Sequence, residues 1–202
     1  MISILDYGVG NLASVSNALR YLGVECGVIS TPAQVQQAGK LILPGVGAFG
    51  AAMENLNRLG LTDAILEHSK THERPILGIC LGMQLLLDGS QEDGWHEGLG
   101  LLKGQVLSLA EVAGDLVVPH VGWNEVTPKP QSLLVNGPGE HSFYFVHSFY
   151  CSLQDPAQEA GISRYAVDFC SVAEYNNVFG CQFHPEKSQR CGLALLRNYA
   201  AV

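Results

Sequence analysis

The sequence has no run of basic residues, no apolar stretch of membrane-spanning length and no Cys-x-x-Cys pair. Each absence excludes a class. With 11 Lys and Arg against 19 Asp and Glu, a formal net charge of −8, the chain has no electrostatic footprint for nucleic acid or an anionic membrane, leaving room only for a local phosphate contact. Without about 20 consecutive apolar residues no transmembrane helix is expected. The six cysteines (Cys26, Cys80, Cys151, Cys170, Cys181 and Cys191) are dispersed through a chain too large to need disulfide staples, so they are expected to be reduced, in a cytoplasmic protein. Met1–Asp6 lacks the charge and apolar length of an export signal and reads as an opening strand. Charged residues are only 15% and hydrophobic residues 47%, values that suit a soluble globular enzyme and not a disordered chain. There is no internal repeat and no Pro-, Gly- or Ser-rich linker, so residues 1–202 are expected to form one domain, burying roughly 70% of its unfolded surface.

Strand-like and helical patterns alternate through the first half: Ile2–Leu5, a helix over Leu12–Leu22, Cys26–Ile29, a short helix capped by Thr31-Pro32, and Lys40–Leu43 ending at Pro44-Gly45. Helical patterns near Ala48–Leu59 and Thr62–His72 precede a buried strand, Pro75–Ile79, which runs into Cys80 and a helical run to Leu87. This alternation predicts an α/β fold with a mostly parallel central sheet flanked by helices. Beyond Gly89 the pattern turns β-rich around Val106, Val117, Phe143–Tyr150 and Val172–Phe183, so the C-terminal half is expected to be antiparallel. Asn176-Asn177 predicts a hairpin turn, and Ser188 a cap on a closing helix that ends near Ala201.

The chemistry concentrates in Gly78-Ile-Cys-Leu-Gly82, a potential nucleophile between two glycines at a strand-to-helix junction. That is the layout of a nucleophile elbow. The helix start favours a thiolate, and the amide of Leu81 is placed to meet the oxygen of an attacked carbonyl. Alone, Cys80 is equally well a small buried hydrophobe. The balance shifts with Gln182-Phe-His-Pro-Glu186, where His184 is placed to take the thiol proton and Glu186 to orient the ring; alternatively His184 is a surface strand-end residue and Glu186 a helix cap. Pro44-Gly-Val-Gly47 is able to present backbone amides to an oxyanion, or is merely a tight turn. Gly8-Val-Gly-Asn-Leu-Ala13 fits the dinucleotide pattern loosely, but the second strand ends at Ser30 without the acidic residue that holds a ribose, so no cofactor is expected. His120 and Trp123 are readable as functional or as core, and the spacing of His120, His147 and His184 supports no metal site.

Together these segments resemble the class I, triad-type glutamine amidotransferases (flavodoxin-like in fold), and within them the glutaminase subunits of imidazole glycerol phosphate synthases. Gly78–Gln84 and His184-Pro-Glu186 are similar to the whole class. Asp6–Asn11, Pro44–Phe49, Pro119–Asn124, Tyr144–Ser148 and Gln182–Ser188 are similar to the histidine-biosynthesis branch. The resemblance implies that Cys80, His184 and Glu186 hydrolyse L-glutamine to glutamate and ammonia, and that Gly47 lends its amide beside Leu81 to the oxyanion hole. It implies glutamine contacts from Gln84, Glu92 and the backbone of Ser148 and Phe149, the last standing where relatives carry Tyr. It further implies a heterodimer with a (β/α)8-barrel cyclase subunit that uses the ammonia to make imidazole glycerol phosphate and aminoimidazole carboxamide ribotide. Asn11, Trp123, Tyr144 and Lys187 then belong to the interface and ammonia passage. Ser163–Cys170 fits the pattern poorly and receives no role. The competing readings are another class I amidotransferase subunit, a stand-alone thiol hydrolase, or a small-molecule binding module in which Cys80 is incidental.

Overall fold

A computed structural model describes residues 1–202, and its first half alternates strand and helix. The elements are β1 (Ile2–Leu5), α1 (Leu12–Tyr21), β2 (Cys26–Ile29), α2 (Pro32–Gln37), β3 (Lys40–Gly45), α3 (Phe49–Arg58), α4 (Leu61–Leu66), β4 (Ile76–Cys80) and α5 (Leu81–Leu85). The second half is nearly all strand: β5 (Gly89–Ser90), β6 (His96–Glu97), β7 (Gly104–Ser108), β8 (His120–Glu125), β9 (Thr127–Pro128), β10 (Ser142–His147), β11 (Phe149–Leu153), β12 (Glu159–Tyr165), β13 (Val167–Tyr175) and β14 (Val178–Cys181). Helix α6 (Gln189–Ala201) closes the chain. No helix is long and apolar enough to cross a membrane.

The local chemistry explains the boundaries. Asn11 caps α1 by accepting from the Ser14 amide, and Thr31 with Gln34 forms a capping box ahead of Pro32 in α2. Strands β1 and β4 are buried at every residue, as parallel strands covered on both faces must be. Their covers are two separate apolar layers. Leu56, Leu61, Ile65 and Met83 pack on one face of the sheet, while Val15, Leu19, Leu195, Leu196 and Tyr199 from α1 and α6 pack on the other. Each such fully buried side chain contributes about 1.5–3 kcal/mol.

The sheet order decides where the chemistry falls. Strands run β2-β1-β3-β4-β14, all parallel, and then continue into β13, β11, β7, β5 and β6. Strand β14 leaves an antiparallel hairpin with β13, turning at Asn176 with φ 52°, yet lies parallel to β4 with Cys181 opposite Ile79. The last strand thereby delivers its outgoing chain to the carboxyl end of β4, where ligands collect in open α/β sheets. Strands β8 and β10 form a separate two-stranded ribbon.

The predicted α/β order holds, with four local corrections. The Thr62–His72 helix ends its α-helical part at Leu66 and widens into a π turn over Glu67–Thr71. Val117 lies outside any strand, and β8 starts at His120. The Phe143–Tyr150 run is broken at Ser148, its first part pairing in the ribbon and its second in the large sheet. Ser188 stands at the N-cap position of α6 as expected, but its side chain makes no cap bond. Its hydroxyl donates to the His184 carbonyl at 2.6 Å and accepts from the Tyr144 amide at 2.9 Å, because the turn after His184 brings both within reach.

Candidate active site

Cys80 stands between β4 and α5 with φ 55° and ψ −111°, a conformation that costs a non-glycine residue about 1–3 kcal/mol. Its neighbours hold it there. A Cβ on Gly78 would lie 2.5 Å from the Gly82 carbonyl oxygen, and one on Gly82 would overlap the Leu43 carbonyl. Only glycine at both positions lets α5 press onto β3 and β4, and that pressure imposes the strained turn that aims the sulfur outward. Cys151, Cys170 and Cys181 are fully enclosed, and burial pushes their thiols up. Cys80 instead lines a cavity of about 320 Å³.

His184 reaches the same cavity from the chain that leaves the neighbouring strand, β14. The parallel register sets Gln182 beside the end of β4, and the His184 amide donates to the Tyr144 carbonyl at 2.9 Å, anchoring the segment to the ribbon. The sequence suggested an extended His-Pro-Glu with alternate side chains on one face. Pro185 instead opens a 3-10 turn, Pro185–Lys187, that folds Glu186 back so that Oε1 lies 2.9 Å from His184 Nδ1. The two side chains are 5% and 2% exposed. Burial works against the imidazolium, but the Cys80 sulfur and the Glu186 carboxylate more than offset it and hold His184 at about 9. A cation there is the electrostatic partner that a thiolate needs. The sulfur itself contacts the Val146 carbonyl at 3.8 Å and the side-chain Nε2 of Gln182 at 3.9 Å.

Of the other residues expected from sequence, Gly47, Leu81, Gln84, Glu92, Ser148, Phe149 and Lys187 all line this cavity. Gly47 has φ 103°, a backbone conformation that favours glycine, and nothing lies within 4 Å of where its Cβ would be. Glu92 is committed to the loop's far end, where Oε2 accepts from the Phe49 amide at 2.7 Å. The side-chain NH2 of Gln84 is already spent: it donates to the Phe149 carbonyl and to Gln182 Oε1, both at 3.1 Å. Asn11, Trp123 and Tyr144 do not line it. Asn11 caps α1, and Trp123, 50% exposed, packs edge-on against Tyr144 with ring centroids 6.1 Å apart. Glu186 sits behind His184, its side chain buried beneath a groove against α1 that the residue borders. Gln182 and His147 join the site without a role expected from the sequence. Gln182 was findable, since it stands two residues before His184 on the same extended segment; His147 was not, because its contacts depend on strand pairing. No grouping of three or more His, Cys, Asp or Glu is placed to hold a metal.

Comparison with known proteins adds the following. The family model "Glutamine amidotransferase class-I" matches residues 3–200. A protein named imidazole glycerol phosphate synthase subunit HisH from Chlorobium luteolum is 48% identical over 202 residues, covering 99% of each chain. Its namesake from Sulfurimonas denitrificans is 45% identical over 201 residues, covering 98% of this chain and 97% of its own. Among solved structures, one described as a glutamine amidotransferase superposes with a TM-score of 0.78 at 18% identity, covering 100% of this chain and 99% of that one. A chain of PurLQS from Thermotoga maritima gives 0.76 at 18% identity, covering 99% and 97%; at such identity these two speak for the fold alone.

Proposed function

The chain belongs to the class-I glutamine amidotransferases, and from that premise we propose that it is the glutaminase subunit of an imidazole glycerol phosphate synthase, acting in histidine biosynthesis. Residues 1–202 act as one catalytic domain in the cytoplasm. The observation that carries the reading is the convergence of Cys80 and His184 on one cavity with Glu186 hydrogen-bonded behind the ring at 2.9 Å.

In this reading the Cys80 sulfur attacks the side-chain amide carbon of L-glutamine. The carbonyl oxygen becomes an oxyanion held by the amides of Leu81 and Gly47, each donor worth about 3 kcal/mol to the transition state. His184, positioned by Glu186, gives its proton to the departing nitrogen, and ammonia leaves a glutamyl thioester on the sulfur. His184 then takes a proton from water, which attacks the thioester; glutamate departs and the thiol is restored. Glu92 and the backbone of Ser148 and Phe149 hold the amino-acid end, with Gln84 supporting them.

Ammonia released into bulk water becomes ammonium and loses its nucleophilicity, so a partner has to cover the cavity mouth. That partner is the cyclase subunit, a (β/α)8 barrel in this reading. The half-exposed Trp123 with Tyr144, together with Asn11 and Lys187, forms the docking rim and the passage. The decisive experiment is a glutaminase assay on the chain alone, then with the cyclase subunit and its nucleotide ligand. Turnover that rises with the partner and is lost in Cys80→Ala supports the reading. Equal turnover without the partner would make the chain a stand-alone thiol hydrolase.

A further inference from the structure

Beside Ser148 and Phe149 the cavity is lined by His147, and behind it stands His120, a pair of buried histidines that the triad does not use. His120 on β8 and His147 on β10 are cross-strand partners, 4% and 5% exposed, with His120 Nδ1 2.9 Å from His147 Nε2. His147 Nδ1 lies 2.7 Å from the Phe149 carbonyl oxygen. A carbonyl only accepts, so Nδ1 of His147 must carry the hydrogen and its Nε2 must be the acceptor. His120 Nδ1 therefore donates, which leaves His120 Nε2 to accept from the Asn124 amide at 3.4 Å. Every tautomer in the row is forced, and the row ends on one oxygen.

That oxygen belongs to the backbone assigned above to the substrate. It also receives the Gln84 amide at 3.1 Å, so both of its lone pairs are occupied and the peptide cannot rotate without breaking two bonds. We propose that His120 and His147 are positioning residues, a relay of neutral rings that fixes the Phe149 carbonyl and so holds the Ser148–Phe149 backbone in the shape that receives the amino-acid end of glutamine. The inference rests on the glutaminase reading. His120 acts one step removed, by dictating the tautomer of His147. Without its donor, Nε2 of His147 is free to take the hydrogen, and a bare Nδ1 would then face the Phe149 oxygen, lone pair against lone pair. Stacking on Phe145 and Tyr165, at centroid distances of 5.0 and 4.1 Å, keeps the His120 ring in plane for this task. Burial holds His147 at about 4, in keeping with a ring that stays neutral.

The test separates the donor from the ring, using the assembled complex. His120→Phe keeps the stack and deletes the donor; His120→Asn gives up the stack but returns an N–H where Nδ1 stood. The relay predicts that His120→Phe raises KM for glutamine about tenfold with kcat within about twofold, whereas His120→Asn stays within about twofold of the parent in both. The alkylation rate of Cys80 by iodoacetamide, which needs no cradle, should be the same in all three proteins. An Asn variant as impaired as the Phe variant, a fall in kcat at unchanged KM, or no change in either would overturn the relay. If His120→Phe does not fold, His147→Asn, which keeps the donor to Phe149, against His147→Leu carries the same comparison. Failure of the relay leaves turnover by the unmodified protein intact; a protein with no glutamine turnover at all would remove the glutaminase reading and the relay with it.

Discussion

The two walls of the cavity are built by different means. The wall from β3, β4 and α5 is made of backbone: a strained residue, two glycines that admit no methyl group, and a loop that turns through a glycine at positive φ. The wall from β10, β11 and the outgoing end of β14 is made of side-chain hydrogen bonds that tie His147 and Ser188 to carbonyls, His184 to Glu186, and Gln182 to Gln84 of α5. Close packing makes the first wall steeply intolerant of added volume, and directional bonding makes the second sensitive to lost donors. In the proposed mechanism a nucleophile needs to be aimed once and held, and proton carriers need partners, so each wall would have the construction that suits its task.

Variants that separate the two walls sharpen this contrast. Cys80→Ala removes the chemistry without touching either construction, and glutaminase activity in the complex should fall by more than about three orders of magnitude with the urea midpoint nearly unchanged. Glu186→Gln breaks the second wall at its most electrostatic bond; kcat should drop by about two to four orders of magnitude. Steady-state rates that stayed within tenfold of the parent would mean that the carboxylate is not positioning the ring. Gly82→Ala attacks the first wall by overpacking, and denaturant titration should show a loss of about 1–3 kcal/mol together with a displaced thiol. Ser188→Ala removes one hydroxyl that joins β10 to the His184 turn, and a loss of about 1–2 kcal/mol is expected by the same titration. If Ser188→Ala cost more than Gly82→Ala, the contrast between the walls would be reversed.

The smallest effects are in pH. His184 titrates at about 9 in the folded chain against an ordinary 6.5, so its contribution to stability is complete below about 6.5 and fades as pH rises through about 9. His147 moves the other way: held at about 4, it favours the unfolded chain as pH falls from about 6.5 through 4. Urea midpoints across pH should therefore decline at both ends. His184→Gln should flatten the alkaline limb and His147→Asn the acid limb; the reverse assignment would contradict the burial and pairing described above.

The first wall was readable in the sequence, because its signals are local. Gly78-Ile-Cys-Leu-Gly82 prescribes a tight strand-to-helix turn whatever surrounds it, and the alternation of β1 to β4 with helices fixes a parallel sheet. The second wall was readable only in part. His184-Pro-Glu186 stood out, but the 3-10 turn that folds Glu186 back depends on Pro185, on packing against Gly192 in α6 and on the bond from the His184 amide to Tyr144 in β10, a strand no local pattern connects to it. Ser188 looked like a helix cap because its type and position suit one; a nearby carbonyl and amide claimed its hydroxyl first. The His120–His147 bond requires the β8–β10 register, and the break that sends β10 and β11 into different sheets is marked only by the polar pair His147-Ser148 inside an aromatic-rich run.

The central claim is that Cys80 alone among six cysteines is the nucleophile, aimed by the first wall and activated by the second. Peptide mapping by mass spectrometry after treating the complex with a glutamine-shaped electrophile tests it directly. The account predicts one adduct, on Cys80, suppressed by excess glutamine and slowed in Glu186→Gln. An adduct on any other cysteine, or none on Cys80 in a complex that hydrolyses glutamine, would contradict it.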